Sequence, residues 1–172
     1  MEKLADFFST LGEKWQSWAA IIFICIGLEA GAVFFQEVLM YYPCELCIYT
    51  RVWMSAMVLV ALLALAFRKK LWPMRFFVAV ELCLAVGLAA VVWELLAIEY
   101  GLNTNGACNL VANFPSWARL DEWLPTLFLV QDSCGKTPLV LGPLSMADGL
   151  AGISVGFIAV LSLTLSYSFK RK

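Results

Sequence analysis

Residues 41–67 read YYPCELCIYTRVWMSAMVLVALLALAF, and the change of character partway along this stretch decides the fold. From Cys47 to Phe67 the text is apolar with a single charge, Arg51, and is long enough to cross a bilayer as a helix, which takes roughly 20 mostly apolar residues. Three further windows have the same character: Trp18 to Met40, Trp72 to Ile98 and Leu150 to Phe169. Over all 172 residues, 62% are hydrophobic and 15% charged, with a mean hydropathy of +0.83. Soluble domains carry about a quarter charged residues. Too little chain lies between the windows for a separate soluble domain. The expectation is one integral membrane domain over residues 1–172: an all-α protein, a four-transmembrane-helix bundle in the lipid bilayer. The first window is expected to be retained, because its apolar run is too long for a signal peptide and no small-residue cleavage pattern follows it. A net charge of −1 with one short basic run, Arg68-Lys69-Lys70, at a span boundary gives no reason to expect nucleic acid as a partner.

The basic residues orient the bundle. Lys3 and Lys14 precede the first span, Arg68, Lys69, Lys70 and Arg75 join the second to the third, and Lys170, Arg171 and Lys172 end the chain. The opposite side holds Arg119 and Lys136, with Arg51 just inside the second span. By the positive-inside rule both termini face the cytoplasm, and the segments 41–46 and 99–149 face outward. The first outer segment is a tight turn, in which Pro43 cannot continue a helix and favours an extended residue before it. The second is long. Asn103-Thr104-Asn105-Gly106 reads as loop. Beyond it Trp117, Leu120, Trp123, Leu124 and Leu127 recur at helical spacing opposite Arg119, Asp121 and Glu122, which predicts a short amphipathic helix lying in the membrane interface, the alternative being a loop helix packed on the bundle.

Four of the six cysteines fall on the outer side: the pair Cys44 and Cys47, spaced as CxxC at a helix start, and Cys108 and Cys134, 26 residues apart. Disulfides persist outside the cytoplasm, so two pairs on one small surface suggest disulfide exchange. A helix N-terminus stabilises the thiolate that does such chemistry. Arg51 follows Cys47 at i+4 on the same face. There it either stabilises that thiolate, polarises an oxidant's carbonyl, or extends outward to water. Cys25 and Cys83 lie within apolar spans and read as small packing residues. Glu29 and Glu81 are also intramembrane, with Gln36 on the Glu29 face at i+7, and read as acids packed between helices.

The stretch Phe35-Gln36, then Pro43-Cys44-Glu45-Leu46-Cys47-Ile48-Tyr49 with Arg51 behind it, resembles the DsbB family of quinone-linked disulfide oxidoreductases. Phe114-Pro115-Ser116-Trp117 and Leu120-Asp121-Glu122-Trp123-Leu124-Pro125 resemble that family's outer loop. The resemblance implies a multi-pass protein of the bacterial inner membrane with periplasmic outer segments. It implies that Cys44 and Cys47 are the pair coupled to ubiquinone or menaquinone, with Cys47 and Arg51 contacting the quinone. Cys108 and Cys134 would be the shuttle disulfide that reoxidises a periplasmic DsbA-like thioredoxin-fold protein. In that scheme Cys108 forms the mixed disulfide, and Cys134 passes electrons to Cys44. The chain contains no histidine, so a histidine proton donor near the quinone is unavailable to it; Glu94 or Glu99 at the outer end of the third span, or water, could substitute, and otherwise these acids pair with Arg51 or occupy hydrated interface positions. Three rivals compete. A structural zinc or iron–sulfur site would use the four thiolates, although zinc sites more often show two short CxxC knuckles. A structural tetraspan protein or transporter would need only two stabilising disulfides. Electron export from the cytoplasm would need cysteines reachable from both sides. The first reading, with no metal, accounts for the most residues.

Overall fold

The computed structural model describes residues 2–67, 69–102, 108–135 and 137–170. Its elements are α1 (Glu2–Leu11), α2 (Trp15–Glu37), α3 (Glu45–Phe67), α4 (Leu71–Glu99), two single turns α5 (Leu120–Trp123) and α6 (Pro125–Phe128), a small hairpin β1 (Leu139–Leu141) and β2 (Leu144–Ser145), and α7 (Met146–Lys170). Four of them, α2, α3, α4 and α7, are long and apolar enough to cross a membrane. The protein is therefore an all-α multi-pass membrane protein. α2 packs on α3, α3 on α4 and α4 on α7, while α1 lies along α7.

Close helix approach comes from small residues at the seams. Ala61, Ala64 and Ala85 are fully buried beside Met57, Met74 and Leu88, and small side chains let backbones draw together where lipid supplies no hydrophobic drive. At Gly87 of α4 the approach is tightest: a Cβ there would lie 2.5–2.8 Å from the benzo ring of Trp53 on α3.

Helix ends differ from the hydropathy windows for local reasons. α2 stops at Glu37, not Met40, because Met40 adopts a left-handed φ of 56° and the Tyr41 N–H bonds back to Phe35 O at 3.0 Å. That closure satisfies a terminal carbonyl and turns the chain sharply. α7 starts at Met146, ahead of Leu150, because Ser145 and Asp148 cap it reciprocally. Asp148 N donates to Ser145 Oγ at 3.2 Å, and Ser145 N donates to Asp148 Oδ2 at 3.0 Å. Tyr100 Oη donates to the same carboxylate at 2.9 Å and so fastens the end of α4 to the start of α7.

The single amphipathic helix expected between Trp117 and Leu127 is instead two turns. Pro125 occupies the first position of α6, and Leu124 leaves helical geometry at φ −138°, ψ 68°. The apolar residues divide accordingly. Leu120 and Leu127 are partly covered, Trp117, Trp123 and Leu124 remain exposed, and the anchor is Phe128, buried with Ala112 and Val130 against Ile48 of α3. The expected loop at Asn103–Gly106 lies outside the described residues. The β1–β2 hairpin, with Gly142 at φ 59° in its turn, was not predicted. The turn before α3, the described parts of the 100–145 segment and the start of α7 gather at one end of the bundle.

Candidate active site

Pro43 ends the turn, and Cys44 is the N-cap of α3. Its carbonyl accepts the Ile48 N–H at 3.0 Å, and its Sγ accepts the Cys47 N–H at 3.4 Å. Sulfur here takes the role that a serine or aspartate oxygen plays in most helices. Cys47 sits in the first turn, where the aligned peptide dipoles favour negative charge. The two sulfurs are 2.6 Å apart, so a disulfide between them forms or opens with little backbone motion. The Cys44 thiol is pushed far above the ordinary thiol range, first by its hydrogen bond with the Cys47 sulfur and then by burial. In the reduced pair Cys44 therefore retains its proton.

Cys108 and Cys134 are joined as a disulfide with their Cα atoms 5.6 Å apart. The Sγ atoms of Cys44, Cys108 and Cys134 all lie within 4.8 Å of one another. A metal site would need these sulfurs as thiolates, and two of the three are bonded to each other. The cluster instead has the makeup of an exchange site, with one cysteine sulfur beside a disulfide. The arm leading to Cys134 is fixed by Pro43, whose carbonyl accepts the N–H groups of Gln131 at 3.0 Å and Asp132 at 3.3 Å.

Arg51 is buried. Its Nη1 donates to Gln36 Oε1 on α2 at 3.0 Å and to Leu127 O in the outer loop at 2.9 Å, so the guanidinium does not extend outward to water. Gln36 is buried as well, and its amide also donates to Thr126 O at 3.1 Å. Cys44, Cys47 and Arg51 share a cavity of about 120 Å³ whose apolar wall includes Leu28, Phe35 and Met54. An engineered cavity of about 150 Å³ holds benzene, so this volume suits a single six-membered ring.

The remaining sequence candidates separate from this site. Cys25 is buried in the bundle core and Cys83 is exposed on its flank. Glu94 is exposed, and Glu99 accepts a hydrogen bond from Thr137 Oγ1, a cavity-lining residue, at 2.9 Å. Neither acid pairs with Arg51 among the described residues. Among the described residues, Glu81 is fully buried with both oxygens unpartnered, and Glu29 has one buried oxygen without a partner. Sequence reasoning did not find the Gln36–Arg51–Leu127 bridge, which joins residues far apart in the chain through a backbone carbonyl. Nor did it assign roles to Glu45 and Tyr49, although their i,i+4 spacing places them on one helix face.

Comparison with known proteins agrees with this geometry. Residues 14–164 match the family described as Disulfide bond formation protein DsbB. A relative from Shewanella denitrificans named Disulfide bond formation protein B is 28% identical, covering 97% of this chain and 95% of its own. Proteins of the same name from Escherichia coli O1:K1 / APEC and Yersinia pestis (strain Pestoides F) are 30% and 29% identical, covering 91% and 89% of this chain and 89% and 86% of their own.

Proposed function

This chain belongs to the DsbB family of disulfide bond formation proteins and is a disulfide oxidoreductase, and we propose that it carries electrons from a periplasmic DsbA-like thioredoxin-fold protein to ubiquinone or menaquinone in the bacterial inner membrane. In this reading both termini are cytoplasmic, and the whole chain acts as one membrane domain. The observation that carries the proposal is the sulfur row: Cys47 is 2.6 Å from Cys44, and Cys44 lies within 4.8 Å of both sulfurs of the Cys108–Cys134 disulfide.

The reduced partner's thiolate attacks Cys108, Cys134 leaves as a thiolate, and the partner's second thiol resolves the mixed bond. The partner departs oxidised, and Cys108 and Cys134 are left as thiols. Cys134 then attacks Cys44 of a Cys44–Cys47 disulfide and expels the Cys47 thiolate from the first turn of α3. Cys108 closes back on Cys134, which leaves Cys44 and Cys47 reduced. Cys47 and Arg51 fit a quinone head group, since one sulfur and one cation face an otherwise mostly apolar cavity of single-ring size. A bound quinone accepts two electrons and two protons, after which the Cys44–Cys47 bond is closed again. Arg51, held by Gln36 and Leu127 O, orients toward that cavity without needing to move.

The test is quinone reduction by the reduced thioredoxin-fold partner, run on wild type and three single variants. Cys44→Ser and Cys47→Ser should abolish it. Cys108→Ser should block turnover with the protein partner while sparing direct reactivity of Cys47 with quinone. Undiminished turnover in Cys47→Ser would refute the assignment. The rival of two merely stabilising disulfides gains if both bonds stay closed when reduced partner is added without quinone.

A further inference from the structure

We infer that Glu45 and Tyr49 are positioning residues that latch the Cys108 arm of the outer loop onto α3 and so hold the Cys108–Cys134 disulfide within exchange reach of Cys44. The inference rests on the reading that the two cysteine pairs exchange. Glu45 lies between the two cysteines of the CxxC, and a carboxylate there would be expected to face water. It is instead 5% exposed. Both of its oxygens are engaged: Oε1 accepts from Tyr49 Oη at 2.9 Å, and Oε2 accepts from the backbone N–H of Asn109 at 2.6 Å. Tyr49 Oη in turn accepts the backbone N–H of Asn113 at 3.0 Å, and its ring meets Phe114 edge-to-face with centroids 6.2 Å apart. Two side chains one helical turn apart thus hold the backbone on the C-terminal side of Cys108.

Three features make this a latch. The bonds go to backbone N–H groups, so they fix the path of the arm whatever side chains it carries. Among the described residues Glu45 has no cationic partner, so releasing the arm would leave a buried carboxylate with a lost donor, which is costly. The first turn of α3 favours the negative charge, which makes a carboxylate tolerable at this position. On the opposite side, the Pro43 carbonyl holds the Cys134 arm through Gln131 and Asp132. The disulfide is therefore suspended between two grips that flank Cys44 in sequence, and both belong to the segment that carries the CxxC.

A positioning role predicts a change in the effective concentration of Cys108 at Cys44, which a simple stabilising contact does not. In the full chain with Cys47→Ser and Cys134→Ser, Cys44 and Cys108 are the two outer cysteines left, and glutathione disulfide can close them, releasing two glutathione thiols. The equilibrium constant for closing that bond is read against glutathione buffers. Glu45→Gln should lower it about tenfold, the factor associated with one part-buried hydrogen bond to a carboxylate, and Tyr49→Phe about threefold, because the bond it removes from Asn113 is neutral and exposed. The double change should fall short of the product, because the two bonds form one chain. Tyr49→Phe keeps the ring and its contact with Phe114, so it reports even if Glu45→Gln folds poorly. A lowered unfolding midpoint with an unchanged closing constant would overturn the inference, since the contact would then be structural only. Survival of quinone reduction in Cys47→Ser would instead defeat the exchange reading and would leave the measured closing constant standing, so the two failures are distinguishable.

Discussion

Arg51→Met separates what the buried guanidinium does for the fold from what it does for the oxidant. Methionine keeps the apolar stem and removes the charge. In the folded protein the change leaves two acceptors, the buried Gln36 Oε1 and the partly buried Leu127 O, without the donor that now sits 3.0 and 2.9 Å away. Each stranded acceptor costs about 1–3 kcal/mol. Against this, the variant no longer buries a cation within a membrane protein, a penalty of about 2.5–3.5 kcal/mol on insertion scales. The two sums, about 2–6 against about 2.5–3.5 kcal/mol, overlap, so the net loss is at most about 3.5 kcal/mol and the unfolding midpoint should fall by no more than about 14 °C, at roughly 2–4 °C per kcal/mol for a chain of this length. On the proposed reading, in which Arg51 donates to a bound quinone, quinone affinity has no such compensation. Losing one charge-assisted hydrogen bond of about 1.5–3 kcal/mol weakens binding roughly 10- to 150-fold.

The assay is a single-turnover titration with a short-chain quinone on protein carrying a reduced Cys44–Cys47 pair, because KM equals the dissociation constant only when chemistry is slow. Arg51→Lys should fall between wild type and Arg51→Met, since it keeps the charge but lacks the further N–H donors that the guanidinium carries beyond the Nη1 bonded to Gln36 Oε1 and Leu127 O. A quinone affinity within twofold of wild type would refute the reasoning. A parallel loss of affinity for quinone and for the thioredoxin-fold partner would show that the outer loop had collapsed once Leu127 O lost its donor.

Three further outcomes follow from the geometry. Because its hydrogen bond with the Cys47 sulfur raises the Cys44 thiol, the folded reduced protein binds that proton more tightly than the unfolded chain does. The stability this confers is full below the unfolded thiol pKa, about 8.5, and is lost as pH climbs above it. Alkylation mapped by mass spectrometry against pH should find Cys44 reacting last, and a reaction midpoint for Cys44 near 8.5 would contradict the assignment. Gly87→Ala should lower stability by about 1–3 kcal/mol by driving a methyl group into the Trp53 ring. Trp53→Leu in the same chain should restore much of that loss, and strict additivity of the two changes would argue against contact between them. Glu81→Met should leave stability unchanged or raise it by up to about 3 kcal/mol, because both carboxyl oxygens are buried without partners. A clear loss in detergent unfolding would mean that the carboxyl does something its surroundings do not reveal.

Much of the bundle is legible because membrane helices advertise themselves in one dimension. Cys47–Phe67 is visible as an apolar run, and Pro43 marks where α3 can begin. Two boundaries were also written in the sequence, in signals other than hydropathy. A window that scores only apolar residues treats Asp148 as an interruption and starts the last helix at Leu150, whereas Ser145 and Asp148 carry the capping-box spacing that starts it at Met146. Pro125 likewise sits inside the helical periodicity from Trp117 to Leu127 and divides it. The Arg51 bridge belongs to another class. One of its acceptors is a backbone carbonyl 76 residues away, and a carbonyl has no residue identity by which a sequence could announce it. The acids show the same limit. Glu45 and Glu81 are both buried glutamates, yet one is fully bonded and the other has no partner among the described residues, and only three-dimensional neighbours distinguish them.

The position of Cys44 shows why the proline belongs directly in front of the CxxC. A cysteine within α3 would project its sulfur from one face of the helix, toward neighbouring helices or lipid. As the N-cap, Cys44 lies half outside the helix, so its sulfur can lie over the first turn, against Cys47, while still bordering the outer loop. Pro43 contributes twice to that arrangement. Its ring disfavours helical geometry at Tyr42 and so keeps α3 from extending far upstream, and its carbonyl, outside the helix, accepts from the outer loop. That carbonyl holds Gln131 and Asp132, two residues short of Cys134. One dipeptide thus sets the sulfur that faces both ways and the distance to the disulfide it faces. Replacing Pro43 by alanine, which would let α3 extend upstream and engage that carbonyl, should therefore impair exchange between the two pairs more than it impairs either pair alone.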